Sequence, residues 1–291
     1  MQRKFVIPLI YFTGLISCAF AQGDLLVTPT RIVFEGNKQR EEINLVNLGK
    51  DTATYSISFL HYAQTENGGY SIIEKPDSAK MIADSYLRFF PREVTLAPGE
   101  PQVIMLQCRR KTDMSPGEYR SHLYFRSEKD YKPLMNKNMD TLTTVQVKLI
   151  PIYGISIPVI IRSGVVTVNA SINKMKLETQ NDSIQSLKLT INREGNCSSY
   201  GDLVADYIPL NGKPVELGKI KGVKVFTNIH QLNLELQLRK MALPALKDGK
   251  IKVRYTSPND LKYMVYAEKE IQVNGQTGIA QQGATKDING Q

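Results

Sequence analysis

The sequence predicts an all-β chain made of two β-sandwich domains in tandem. Apolar residues recur with period two, not with the helical repeat, in almost every hydrophobic run. Turn-forming residues punctuate those runs at short intervals. The length, 291 residues, suits two ordinary domains. Strict alternation gives each strand one face for a core and one for water, as in antiparallel sheets.

Residues 1–21 read as a cleavable signal peptide. Arg3 and Lys4 form a basic start, Phe5 to Ile16 an apolar stretch too short for a comfortable membrane span, and Ala19-Phe20-Ala21 a peptidase site before Gln22. A rival reading takes Leu15-Ile16-Ser17-Cys18 as a loose lipobox, with Cys18 as a lipidated N-terminus.

The first strand-rich region is 22–162. Alternation marks Leu25 to Phe34, Glu42 to Asn47, Thr54 to Leu60, Val103 to Arg109, Tyr119 to Arg126 and Thr143 to Leu149. Turns are signalled at Gly36-Asn37, Leu48 to Asp51, Asn67-Gly68-Gly69, Ala97 to Glu100 and Ser115-Pro116-Gly117. The stretch Asp77 to Phe90 has room for one helical turn. About seven short strands with this punctuation indicate an immunoglobulin-like sandwich. After a break near Arg162-Ser163-Gly164, a second set occupies 163–275: Val165–Val168, Met175–Glu178, Leu187–Ile191, Leu203–Tyr207, Val223–Thr227, Leu232–Leu238, Ile251–Tyr255 and Tyr263–Val273. This is a second sandwich of the same class, without a sequence repeat of the first. Residues 276–291 are polar and rich in Gly and Gln, and are expected to be a disordered tail.

Composition narrows the chemistry. The chain is 42% hydrophobic and 22% charged, the balance of a folded globular protein. Three Cys and three His exclude a disulfide-built scaffold and a Cys/His zinc array. Cys108 and Cys197 lie in different predicted domains and read as unpaired small hydrophobes. His61, His122 and His230 have no metal-ligand spacing and read as ordinary strand or surface residues. No Walker loop, dinucleotide fingerprint, HExxH or CxxC is present. Ser156 sits in a Gly-Ile-Ser-Ile-Pro run that lacks the last Gly of a nucleophile elbow. The net charge is +9, a moderate excess suited to acidic partners. The densest basic cluster, Arg109-Arg110-Lys111, has no interleaved aromatics, so nucleic acid is not indicated. No catalytic residue, cofactor, metal or small-molecule substrate is expected.

Several stretches resemble the periplasmic pilus-assembly chaperones of the PapD-like family, over most of residues 24–162 and more weakly beyond. They are Thr30-Arg31-Ile32-Val33-Phe34-Glu35-Gly36, Asn44-Leu45-Val46-Asn47, Phe90 to Glu100, Gly117 to Phe125 and Ile157-Pro158-Val159-Ile160, in that order and spacing. The resemblance implies two immunoglobulin-like domains in a boomerang, and no enzymatic activity. It implies secreted pilus- or fimbria-like subunits as partners, with an outer-membrane usher as a second candidate. A subunit of that kind lacks its last strand, and the chaperone lends one whose alternate apolar side chains fill the open groove. By resemblance the donor segment is Thr143 to Leu149, with Val145, Val147 and Leu149 as inserted side chains. The alternative is that these residues face the domain's own core, and alternation alone does not choose. The loop Ser127 to Asp140 is implied as a segment that orders on subunit binding.

The resemblance also implies a basic pair in the cleft that grips the subunit's terminal carboxylate, a task suited to a guanidinium. Arg31 matches the arginine. The lysine falls at Lys148 when counted forward from the strand 119–126, and at Tyr153, a departure, when counted back from Pro158. In the second half, Arg193 to Asp202 is the most distinctive segment, full of turn formers, and reads as a tight loop that could pack near the cleft.

Two other readings stay open. One is a structural or adhesive envelope protein of two immunoglobulin-like modules, lipid-anchored through Cys18. The other is an enzyme or carbohydrate-binding module using the sandwich loops. The absence of Trp weighs against the latter, because sugar platforms usually need large aromatic faces.

Overall fold

A computed structural model describes residues 25–74, 81–128, 152–180, 183–242, 248–258 and 263–273. Its strands in the first sandwich are β1 (Leu25–Thr28), β2 (Ile32–Phe34), β3 (Arg40–Asn47), β4 (Ala53–Leu60), β5 (Tyr62–Gln64), β6 (Tyr70–Ile72), β7 (Leu87–Phe90), β8 (Glu93–Leu96), β9 (Pro101–Cys108), β10 (Gly117–Glu128) and β11 (Gly154–Ser163). One sheet has the order β1-β3-β9-β7 and the other β2-β11-β10-β4-β8. Their facing sides bury Ile43, Leu45, Ile104 and Leu106 against Phe34, Leu123 and Phe125. The predicted run Leu25 to Phe34 is two strands, not one. Pro29 interrupts it, and the chain changes sheets there, β1 pairing antiparallel with β3 and β2 parallel with β11. Proline has no N–H for a ladder, so a strand that reaches it must end or move. A single 3-10 turn, Asp84–Tyr86, falls inside the stretch expected to hold one helical turn.

Side chains fix several of these turns. Asn47 is fully buried, donates from Nδ2 to the carbonyls of Leu96 and Asp51 at 2.9 Å each, and accepts the Gly49 N–H at 2.9 Å. It thereby closes the predicted turn at 48–51 and ties it to β8. The hairpin β5–β6 turns at Asn67-Gly68-Gly69, where Gly68 takes φ +83°, a left-handed conformation that suits glycine.

The second sandwich contains β12 (Val168–Gln180), β13 (Ser183–Gly195), β14 (Ser199–Pro209), β15 (Val215–Val225), β16 (Gln231–Ala242), β17 (Gly249–Thr256) and β18 (Val265–Val273). Its sheets have the orders β12-β13-β16 and β15-β14-β17-β18. Leu187, Leu189 and Ile191 pack across the core against Leu203, Val253 and Tyr255. Each run expected from alternation here contributes to a strand, but of Val165–Val168 only Val168 does, and Val165 is exposed. Cys108 and Cys197 are both buried and unpaired, one in each half. The segments 1–21 and 276–291, and with them Cys18, lie outside the described residues.

Candidate functional site

The two sandwiches meet along β10 and β11. On β10, Tyr119, Leu123 and Phe125 point into the first core, as alternation requires. The opposite face, Glu118, Arg120 and His122, reads in the sequence as a wet face, yet these residues are only 1%, 9% and 7% exposed. The second sandwich covers them. Ile160, which pairs with Arg120 in the β10–β11 ladder, is fully buried on the same side.

Glu118 is the charge around which this layer is arranged. Its Oε1 lies 2.6 Å from Arg120 Nη2, and its Oε2 lies 3.7 Å from Arg162 Nε at the end of β11. Ser198, from the loop before β14, donates from its hydroxyl and its backbone N–H to Oε2, at 2.8 and 3.2 Å. The Glu118 N–H donates to the Asn196 carbonyl at 3.0 Å. Burial alone would raise the Glu118 pKa, but Arg120, Ser198 and Arg162 together outweigh it and hold the carboxyl below its ordinary value.

The loop that delivers Ser198 is the distinctive segment 193–202, and Arg193 organises it. Arg193 is 2% exposed and donates to the carbonyls of Gly195, Cys197, Thr227 and Ile229. A planar fork of five N–H donors can satisfy four carbonyls at once, which a lysine ammonium cannot do.

Arg31 sits at the start of β2, half-buried, with its guanidinium 4.3 Å from the Tyr200 ring centroid. Among the described residues it has no ion pair. Burial, followed by repulsion from Arg120, lowers its pKa to about 10. Lys224, on β15, is the cross-strand partner of Tyr200. It is half-buried, lies 5.6 Å from the Tyr70 ring and likewise has no ion pair among the described residues. Its pKa is lowered by burial and then by Arg120 and Arg31. Arg120 stacks 4.0 Å from the Phe226 ring, and its Nε and Nη1 have no hydrogen-bond partner among the described residues. His122 is lowered to about 3 by burial, Arg120, Lys224 and His61, so it is neutral at physiological pH. His61 is nearly buried, 3.2 Å from both Asp84 and the Ser121 hydroxyl. Of the three histidines read as strand or surface residues, His122 is a buried residue of β10, His61 is buried between β4 and β5, and His230 is exposed.

Two openings flank this layer. One, of about 620 Å3, is lined by Arg31, Glu35, Lys38, Arg162, Tyr200 and Tyr266 among others. The second, of about 590 Å3, is lined by His61, Tyr62, Met81, Arg120, Phe226 and Asn228 among others. The hairpin β5–β6 bounds the latter and reaches across to the second sandwich. Gln64 exchanges hydrogen bonds with Asn228, accepts the Phe226 N–H at 2.8 Å and donates to the Lys224 carbonyl at 2.9 Å. The Asn233 N–H donates to the Glu66 carbonyl at 2.7 Å.

The layer holds more positive than negative charge: Arg120 and Arg162 engage Glu118, Arg162 also engages the exposed Glu35, and Arg31 and Lys224 add two further cations. An excess of partly desolvated cations, two of them without a carboxylate among the described residues, is an arrangement that can recognise an anion. Among the described residues no group of three His, Cys, Asp or Glu could hold a metal ion. Among them, no helix is long and apolar enough to cross a membrane.

Of the site residues expected from sequence, Arg31 lies in this cleft. The parallel register of β2 and β11 pairs Ile32 with Val159, so Arg31 stands beside Pro158. Tyr153 lies five residues back, just before the start of β11, about 16 Å away at ~3.3 Å per residue. It is exposed beside Leu25, Tyr55 and Phe125. Lys148 and the donor-segment residues Val145, Val147 and Leu149 lie outside the described residues, as does most of the loop 127–140. Arg120, Arg162, Lys224, Glu118 and Ser198 were not legible as site residues. On a strand, a charged face covered by another domain has the same pattern as one covered by water.

No family model matches the chain, and no curated protein matches it in sequence. Solved structures of fimbrial chaperones resemble it over most of its length. A YadV chaperone is 12% identical with a TM-score of 0.44, over 86% of this chain and 100% of that one. A chain of the CsuC–CsuE chaperone–tip adhesion subunit pre-assembly complex of Acinetobacter baumannii is 13% identical with a TM-score of 0.43, over 84% and 97%. The class 5 fimbriae chaperone CfaA is 15% identical with a TM-score of 0.38, over 83% and 97%. At these identities the functional reading rests on the residues of the cleft.

Proposed function

We propose that the chain is a non-enzymatic periplasmic chaperone of secreted pilus- or fimbria-like subunits. It holds an incomplete immunoglobulin-like subunit by lending it a strand, and Arg31 anchors the subunit's terminal carboxylate in the cleft. The observation that carries this reading is Arg31 itself. A half-buried guanidinium, stacked on Tyr200 and without an ion pair among the described residues, borders an open cleft between two sandwiches. A partly desolvated charge left uncompensated is costly unless a ligand completes it. The order of motifs shared with the pilus-assembly chaperones supplies the class of ligand. The donor segment, with Val145, Val147 and Leu149, leads into β11, which is hydrogen-bonded on both edges by β2 and β10. Strand donation from 143–149 would thus extend an element already anchored in the sheet. Lys148 is the candidate second cation on that segment. The subunit would then pass to an outer-membrane usher.

The test is recovery of bound protein from a periplasmic extract of the source cells by the mature chain, residues 22–291, and by Arg31→Ala. A small subunit with an incomplete immunoglobulin-like fold, bound by the wild type and absent from a folded Arg31→Ala, is the expected result. If no such subunit is recovered and the protein partitions into membranes, the envelope module anchored at Cys18 replaces this reading.

A further inference from the structure

Three cations of the cleft layer are backed by aromatic rings. Arg31 lies on Tyr200 at 4.3 Å, and Lys224 lies near Tyr70 at 5.6 Å. Arg120, whose Nη2 is engaged by Glu118, rests on Phe226 at 4.0 Å. A ring face steadies a cation and shields it from water, but it leaves the charge uncompensated. Tyr200 and Lys224 are directly opposed on adjacent antiparallel strands, so their side chains rise on the same face about 5 Å apart at Cβ. The ring that holds Arg31 is therefore the immediate neighbour of Lys224. These two cations come from opposite sandwiches, Arg31 from the residue just before β2 and Lys224 from β15. Among the described residues neither meets a carboxylate. Burial lowers the pKa of Lys224, and repulsion from Arg120 and then from Arg31 lowers it further.

We propose that Lys224 is the second cation of the carboxylate site, so that one carboxylate is held between Arg31 of the first sandwich and Lys224 of the second. This rests on the reading of Arg31 as a carboxylate anchor, and it moves the partner of Arg31 from the donor segment to the other domain. The consequence is mechanical. A carboxylate bridging two domains binds well only at one interdomain spacing, and the hairpin β5–β6 fixes that spacing, because Gln64 holds the backbone of Lys224 and Phe226.

The test uses the full mature chain and a ligand that does not depend on knowing the subunit. Acetate is titrated at constant ionic strength, with sodium chloride and acetamide as controls, while NMR follows the Arg31 Nε–Hε and Lys224 Cε–Hε signals. Arg31→Ala and Lys224→Met provide the assignments. Both signals should shift saturably with acetate and with neither control. Lys224→Met should raise the half-saturating acetate concentration read at Arg31 by roughly tenfold, the size of one charge-assisted contact, and Lys224→Arg should restore it. A shift at Arg31 alone, unchanged by Lys224→Met, overturns the role of Lys224 and leaves Arg31 as the anchor. No saturable shift at either residue overturns the carboxylate site altogether.

Discussion

Ser198 Oγ donates to Glu118 Oε2 at 2.8 Å across the boundary between the two sandwiches, and this carboxylate is the same one that holds Arg120 and Arg162. Two chemistries therefore share one layer. Glu118 is satisfied from both domains and fastens them, while Arg31 and Lys224 meet no carboxylate among the described residues.

Glu118→Gln should destabilise the chain by about 3 kcal/mol at neutral pH, since removing one member of a buried ion pair leaves the other uncompensated. The loss should depend on pH. The folded carboxyl titrates below its unfolded value, so its stabilisation is complete above roughly pH 4.3 and disappears as the pH falls through the folded value. Urea midpoints of wild type and Glu118→Gln, measured from neutral pH downward, should differ by a constant amount and converge only in acid. A gap that already closes near neutrality would contradict the pairing.

Gln64→Ala should loosen the two sandwiches without unfolding either. It removes the hydrogen bonds to the Phe226 N–H and the Lys224 carbonyl, a cost of about 2 kcal/mol once unsatisfied groups are counted. Calorimetry should turn a single transition into two, and small-angle scattering should show a larger maximum dimension. An unchanged single transition would mean that the cleft layer alone couples the domains.

Arg193→Lys should cost about 2–3 kcal/mol although charge is conserved, because an ammonium cannot reach all four carbonyls that the guanidinium serves. The local consequence is more telling than the global one. Amide exchange at residues 196–199 should rise, since that loop presents Ser198 to Glu118. Protection equal to wild type would show that the loop holds its shape without the fork.

The alternation of apolar residues by itself determined that this chain is all-β, and it located Ile43, Leu45, Leu123 and Phe125 as core residues, because a strand's inward face must be apolar whatever its neighbours are. The turn residues did the same for the hairpin at Asn67-Gly68-Gly69, where a glycine takes a left-handed conformation. Arg31 stood out through a motif. Only the tertiary structure decided what lies against the other face of β10. Glu118, Arg120 and His122 sit on the face a solvated strand would show to water; Glu118 and Arg120 meet Ser198, about 80 residues later in the chain, and Arg120 and His122 lie against Phe226. The same holds for Lys224, whose place beside Arg31 comes from strand pairing with Tyr200 and from the docking of one sandwich on the other. Local periodicity records which side of a strand is dry within its own domain; long-range packing decides which polar residues share a cleft.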